Sequence, residues 1–287
     1  MLRVGRGPRF HFSPVERDAR LLQIAMRAWT RSVFGSVLVL FLSAGPSAAG
    51  PDPQQQQQSP STSPPRSADF LFGRPRGAVG FRSSWVFQSA GSDIFDFVSR
   101  HLTLDKNDFD SPAFAGDVAI GLTSRLELQG GIEWSRVSRE SEYRDYVDNR
   151  LQPIEQTTEL NAISLAGSLR YSLTPKGRAI SRLAWIPSRF VPYVGAGGGI
   201  LHYEFRQFGD FVDFQDLSVF PESFQSSGWT PTAHVFGGAD IRLYRALYAT
   251  VQGRFMTAAG DLGSDFVDFD PIDLSGFRLS AGVNVLF

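Results

Sequence analysis

Between Gly77 and Phe287 apolar residues recur at every second position in eight separate segments, and this alternation constrains the fold more than any other feature of the chain. A helix repeats every 3.6 residues and cannot hold such a pattern on one face, whereas successive side chains of a strand point to opposite sides of its sheet. The first segment, Gly77 to Gln88, sets Val79, Phe81, Trp85 and Phe87 against Arg82, Ser84 and Gln88. The second, Ala113 to Leu122, opposes Phe114, Val118, Ile120 and Leu122 to Asp117 and Thr123. In the third, Arg125 to Arg136, Leu126, Leu128, Ile132 and Trp134 alternate with Glu127, Gln129, Glu133 and Ser135. The fourth, Thr158 to Leu173, turns Ile163, Leu165, Leu169, Tyr171 and Leu173 away from Ser164, Ser168 and Arg170. The fifth, Phe190 to Arg206, is read with Tyr193, Leu201, Tyr203 and Phe205 on the apolar face and His202 and Glu204 opposite. The sixth, Thr232 to Leu243, sets Val235, Ala239, Ile241 and Leu243 against His234, Asp240 and Arg242. The seventh, Leu247 to Thr257, opposes Val251 and Phe255 to Gln252 and Arg254. The eighth, Asp273 to Phe287, opposes Phe277, Leu279, Ala281, Val283, Val285 and Phe287 to Arg278, Ser280, Gly282 and Asn284.

Two architectures accept this pattern. A soluble sandwich or lipocalin-like barrel points its apolar face inward, while a membrane barrel inverts the polarity and lines its interior with charge. Three features favour the inverted form. Short connections at Thr123-Ser124 and Tyr244-Arg245 alternate with long ones, the stretch from Thr174 to Arg189 being an exception. Large aromatics (Trp85, Phe87, Trp134, Tyr171, Tyr193, Phe205 and Phe287) fall near segment ends on the apolar face, where interfacial girdles belong. The third feature is a secretory signal over residues 1–49. Arg27 and Arg31 precede an apolar run from Val33 to Leu42, and small residues at Ser47 and Ala49 suit a cut after Ala49. That signal is best formed if translation starts at Met26. Residues 50–76 are rich in Pro, Gln and Ser and are expected to be a disordered leader. The expected fold is therefore all-β: residues 77–287 form a closed eight-stranded antiparallel transmembrane barrel with short periplasmic turns and four longer extracellular loops. The expected location is the outer membrane of a two-membrane bacterial envelope, with both termini of the mature chain periplasmic.

The last strand, Gly276-Phe277-Arg278-Leu279-Ser280-Ala281-Gly282-Val283-Asn284-Val285-Leu286-Phe287, resembles that of the small outer-membrane barrels, a group that includes the OmpA, OmpX and OmpW types. The resemblance covers Gly77 to Phe287. It implies outer-membrane lipid and the barrel-assembly machinery as partners, with Phe287 as the assembly signal. It marks the fold and implies no particular activity.

Composition excludes several chemistries. The formal net charge is −1 with no basic cluster in the barrel region, so nucleic acid is not an expected partner. Cys is absent, which removes disulfides, thiolate metal sites and a thiol nucleophile. Gly195-Ala196-Gly197-Gly198-Gly199-Ile200 fails the dinucleotide fingerprint at its last glycine, and phosphate-loop, His-Glu-x-x-His and Gly-x-Ser-x-Gly patterns are missing. No cofactor is expected.

Eight strands leave just enough interior for side chains, so inward charges should neutralise one another. Counting from the turns places Glu127 and Arg170 low on adjacent strands and Asp240 and Arg242 near the base. The same count puts Glu133, Arg254 and Arg278 near mid-height, with Arg82 lower; together these eight form the expected lumen charge network. His202 and His234 are expected to face inward on neighbouring strands. Gly130, Gly167, Gly195, Gly197, Gly199, Gly237 and Gly253 fall on the face read as lipid-exposed. The four long loops repeat Asp, an aromatic and Val at Asp96-Phe97-Val98, Asp145-Tyr146-Val147, Asp210-Phe211-Val212 and Asp265-Phe266-Val267. Over residues 89–111, 138–156, 207–230 and 258–273 they hold nineteen acids and five bases, an excess of fourteen negative charges. Asp265, Asp268, Asp270 and Asp273 are the best candidates for a weak Ca²⁺ site, without the spacing of a dedicated Ca²⁺ loop. The expected function is a non-enzymatic outer-membrane barrel, structural or surface-interactive. A narrow cation-preferring porin or small-solute channel is the alternative, and a lipid-modifying or proteolytic barrel enzyme is the next.

Overall fold

A computed structural model describes residues 70–287 except 182 and 183; the signal segment and most of the leader lie outside the described residues. The strands are β1 (Leu71–Phe72), β2 (Gly77–Gln88), β3 (Ser111–Gly121), β4 (Leu126–Val147), β5 (Pro153–Ser172), β6 (Gly177–Ser181), β7 (Ala184–Pro187), β8 (Phe190–Val212), β9 (Val219–Tyr244), β10 (Leu247–Gly260), β11 (Ile272–Asp273) and β12 (Gly276–Leu286). One helix, α1 (Asp93–His101), sits in the first long loop.

Eight strands pair in the order β2–β3–β4–β5–β8–β9–β10–β12, and β12 returns to β2, so the antiparallel ladder closes on itself. A closed ladder leaves no unpaired edge, the condition an apolar solvent imposes on backbone N–H and C=O groups. Two of the three connections at one end are tight. Thr123 Oγ1 accepts the Arg125 and Leu126 N–H groups at 3.3 and 3.0 Å, and Arg245 takes φ +31° between β9 and β10. The ring ends at the same level, where Phe287 N–H donates to the Gly77 carbonyl at 2.9 Å.

Faces alternate as the period-2 pattern requires, but their polarity changes along the barrel. Near the turns the outside is apolar, with Phe81, Ile132, Leu165 and Val235 each more than half exposed, while Arg82, Asp117, Arg170 and Asp240 are buried within. Such an exterior matches hydrocarbon and not water. Beyond Trp134 on β4 and Ile163 on β5 the arrangement reverses: Ser138, Glu140 and Glu159 face out, while Val137, Leu160, Leu201, Tyr203 and Phe205 pack inside. The expected strand ends were accordingly too short. β4, β5, β8 and β9 run 22, 20, 23 and 26 residues, whereas a membrane-spanning strand needs only about 9–11. These four strands continue as a cap, walled also by α1 and the 3-10 turns Lys106–Phe109 and Ser264–Phe266.

The fifth segment was assigned the wrong face. Tyr193, Leu201, Tyr203 and Phe205 are all buried inside, and Val194 and Ile200 are exposed outside. β8 crosses from the charged lumen into the apolar cap core, so an apolar face that looked lipid-exposed is the inner wall throughout. Gly195, Gly197 and Gly199 share that inner face; a Cβ on Gly195 would stand 2.3 Å from the Phe236 ring, which occupies the space. Gly130 and Gly167 have open space where a Cβ would be, as expected of an outward face. The stretch from Thr174 to Arg189 holds the hairpin β6–β7, and β7 also pairs with β1 at Leu71↔Trp185. Its buried Trp185 comes down beside Gly77, Gly121 and Leu286 at the turn end of the barrel.

Candidate functional site

The lumen is a stack of paired charges. At the turn end, Glu127 and Arg170 are direct register partners on β4 and β5, 3.7 Å apart between side chains. Arg170 also pairs with Asp240 on β9, and its guanidinium lies 3.5 Å from the centre of the Tyr193 ring. Lys176, from the connection before β6, reaches in to Glu127. Asn284 donates to Asp240 at 3.3 Å. Above these, Arg82 pairs with Asp117 at 3.1 Å, and Gln129 donates to the same carboxylate at 2.7 Å. The Tyr193 hydroxyl stands 3.0 Å from Thr250 Oγ1 and 3.2 Å from the Gln252 amide. Farther up, Arg278 donates to Glu133 at 2.7 Å, with Arg254 at 4.0 Å from the same carboxylate.

Seven of the eight expected network residues thus meet through these pairs, and Arg242 is half-buried on β9. Asp117 and Lys176 also join these pairs and were not in the expected set. Asp117 stood on the polar face of its segment but at no distinctive position, and Lys176 lies in a connection that no strand period could place. His234 faces inward, 2.8 Å from Ser168 Oγ. His202 does not: it lies on the outer face against Trp229, with ring centroids 4.9 Å apart, for the same reason that its strand was misassigned.

Little space is left between these groups. A cavity among Arg82, Asp117, Gln129, Glu133, Ser168 and Arg254 measures about 10 Å³, room for about one water molecule. Directly above, the cap core begins. Phe95 meets Phe109 and Phe205 edge-on at 4.7 and 6.3 Å, and Leu201, Tyr203 and Phe205 are 0–1% exposed.

The repeated loop motif has a common destination in this cap. Phe266 packs edge-on against Phe205 and Phe224, and Phe211 against Phe224. Tyr146 and Phe97 both meet Phe214, and Phe97 meets Phe269. Four loops thus send one aromatic each into one cluster, and three of them, Phe97, Phe211 and Phe266, line a residual void of about 50 Å³. Tyr143 sits deep enough that burial raises its hydroxyl pKa above the ordinary value. His101 is held between Phe97 and Phe214, and desolvation there, aided by Arg100, lowers its pKa.

The acids stay at the surface and do not converge. Among the described residues no three acidic or histidine side chains come together as metal ligands. Asp265 accepts the Gln225 N–H, Asp273 those of Gly91 and Ser275, and the Asp270 N–H is turned to Asp93. Asp268 takes φ +78° in its turn.

No protein-family model and no curated protein matches the chain. Among solved structures it is similar to Neisserial surface protein A, NspA, at 13% identity over 74% of this chain and 97% of that one, with a TM-score of 0.40. It is similar to the outer membrane protein OprG from Pseudomonas aeruginosa at 11% identity over 76% and 99%, TM-score 0.41. A third is Ail, the attachment invasion locus protein of Yersinia pestis, at 10% identity over 76% and 100%, TM-score 0.36. The fold rests on this chain's own hydrogen bonds: it is a closed eight-stranded antiparallel barrel, apolar outside and charged within, the architecture of the small outer-membrane barrels.

Proposed function

We propose that the chain is a non-enzymatic outer-membrane protein that acts as a closed scaffold, carrying a folded acidic cap outside the cell and passing no solute. The observation that supports this most directly is the filling of the inner face along its height, first by paired charges and then by an apolar core. An ion entering from outside would have to cross the Phe205 layer, then displace Arg278 from Glu133, at a cost no hydrated cation recovers in that space. The pair Ser168–His234 is the nearest approach to a nucleophile and base, and it lies beside a cavity too small for a substrate. The apolar belt supports a membrane setting with outer-membrane lipid as solvent, and Phe287, 68% exposed beside the closing strand pair, suits recognition by the assembly machinery.

Purified protein in a planar bilayer tests the reading. The expected record is electrically silent. Discrete conductance steps would overturn it in favour of a narrow pore, whose selectivity the acidic mouth would then bias toward cations.

A further inference from the structure

Two leucines stand where leucine is a poor choice. Leu151 at the β4–β5 tip and Leu217 at the β8–β9 tip take φ of +61° and +60°, the left-handed region that crowds any Cβ and is usually left to Gly or Asn. An aspartate opens and holds each turn, although the second is one residue longer. Asp148 Oδ1 accepts the N–H groups of Arg150 and Gln152, both at 2.7 Å, and Leu151 N–H donates to the Asp148 carbonyl at 3.0 Å. Asp213 Oδ1 accepts the Gln215 N–H at 2.8 Å, and Leu217 N–H donates to the Asp213 carbonyl at 2.8 Å. Aspartate and backbone hold each turn, so the leucine side chain is not needed there. It projects instead: at 79% and 61% these are the two most exposed leucines among the described residues, and neither belongs to the apolar belt.

The two hairpins are tied by the Tyr146–Phe214 contact at 5.7 Å, and Phe214 is itself 44% exposed. Around them, residues 145–152 and 210–218 hold five aspartates and one arginine. Resting on the reading of these loops as the outer face of a closed scaffold, we propose that the paired tips are a docking surface for a cationic amphipathic polypeptide. Leu151 and Leu217 enter its apolar side and the aspartates take its Lys and Arg side chains. Charge selects this occupant. A second copy would bring acid against acid, and an anionic bilayer would repel the same collar.

The test uses the full barrel in phosphatidylcholine nanodiscs and a labelled synthetic Leu/Lys amphipathic peptide, with a Ser/Lys peptide and empty discs as references. The barrel should bind the Leu/Lys peptide about tenfold more tightly than empty discs do. Leu151→Gly with Leu217→Gly should abolish that margin, while leaving Ser/Lys binding unchanged and heat resistance equal or higher, because glycine is at ease at both positions. Leu151→Met with Leu217→Met should retain binding. Equal binding by parent and double-glycine protein would overturn the proposal, as would self-association or anionic-vesicle binding that alone depends on the leucines. A silent bilayer record alongside such a failure would leave the closed scaffold standing.

Discussion

Glu133 shows how much one side chain carries in a filled lumen. Its carboxylate serves Arg278 at 2.7 Å and Arg254 at 4.0 Å, and the Arg278 and Glu133 side chains are 5% and 11% exposed. Removing one member of a buried pair leaves a charge that water cannot reach, which costs about 3–5 kcal/mol. Glu133→Ala should therefore lower the unfolding free energy measured by urea in detergent by that order, and adding Arg278→Ala should recover part of it. Arg254→Ala should recover less, because its contact is longer. Strict additivity across the Glu133–Arg278 cycle would remove the coupling. These residues were legible in sequence because short turns fix the count along each strand, so that Glu127 met Arg170 and Glu133 met Arg278. The loop partners of the Asp265 and Asp273 carboxylates, Gln225 and Gly91, were not legible, because proximity in sequence cannot say which loop a side chain will meet.

At the scale of the strand, β8 marks the limit of periodicity. Alternation identifies two faces but not which is inside, and that choice was made by polarity, as it was for the other seven strands. It failed where the surroundings themselves change sign, since Tyr203 and Phe205 line a protein core at the same levels where Glu204 and Arg206 meet water. The four strand extensions were missed for a related reason: above Trp134 the outward residues of β4 are polar, so the ladder continues without its apolar signature. Phe205→Ala tests the inner assignment. A large-to-small change in a packed core costs about 3–5 kcal/mol, and here it should fall on the cap. Limited proteolysis should cleave the cap loops sooner while the barrel keeps its heat-modifiable migration. Unchanged cap protection would mean that Phe205 faces outward.

The whole molecule depends on closure, which the sequence shows only as eight segments of matching period. Leu286↔Ala78 and Gly276↔Gln88 bracket the seam between the last strand and the first. Phe287→Asp places a charge at that seam on the apolar side, where it is costly within hydrocarbon by about 2–4 kcal/mol at mid-depth and less near the interface. Outer-membrane levels of the variant should fall sharply, and what inserts should melt earlier; parental levels and heat resistance would mean that the seam does not depend on this end. The long hairpins add a mechanical property to this closed body. β8 and β9 are in register from Phe190↔Ile241 to Val212↔Val219, and each is paired along its other edge nearer the turns, β8 with β5 from Tyr193 to Gly209 and β9 with β10 from Thr232 to Tyr244. A pull on the exposed tips thus runs along the strand axes and loads the flanking ladders in shear, many hydrogen bonds at once and not one after another. Force applied by whatever grips the cap is delivered undiminished to the ring, and the protein behaves as a mooring post whose shaft and footing are the same strands.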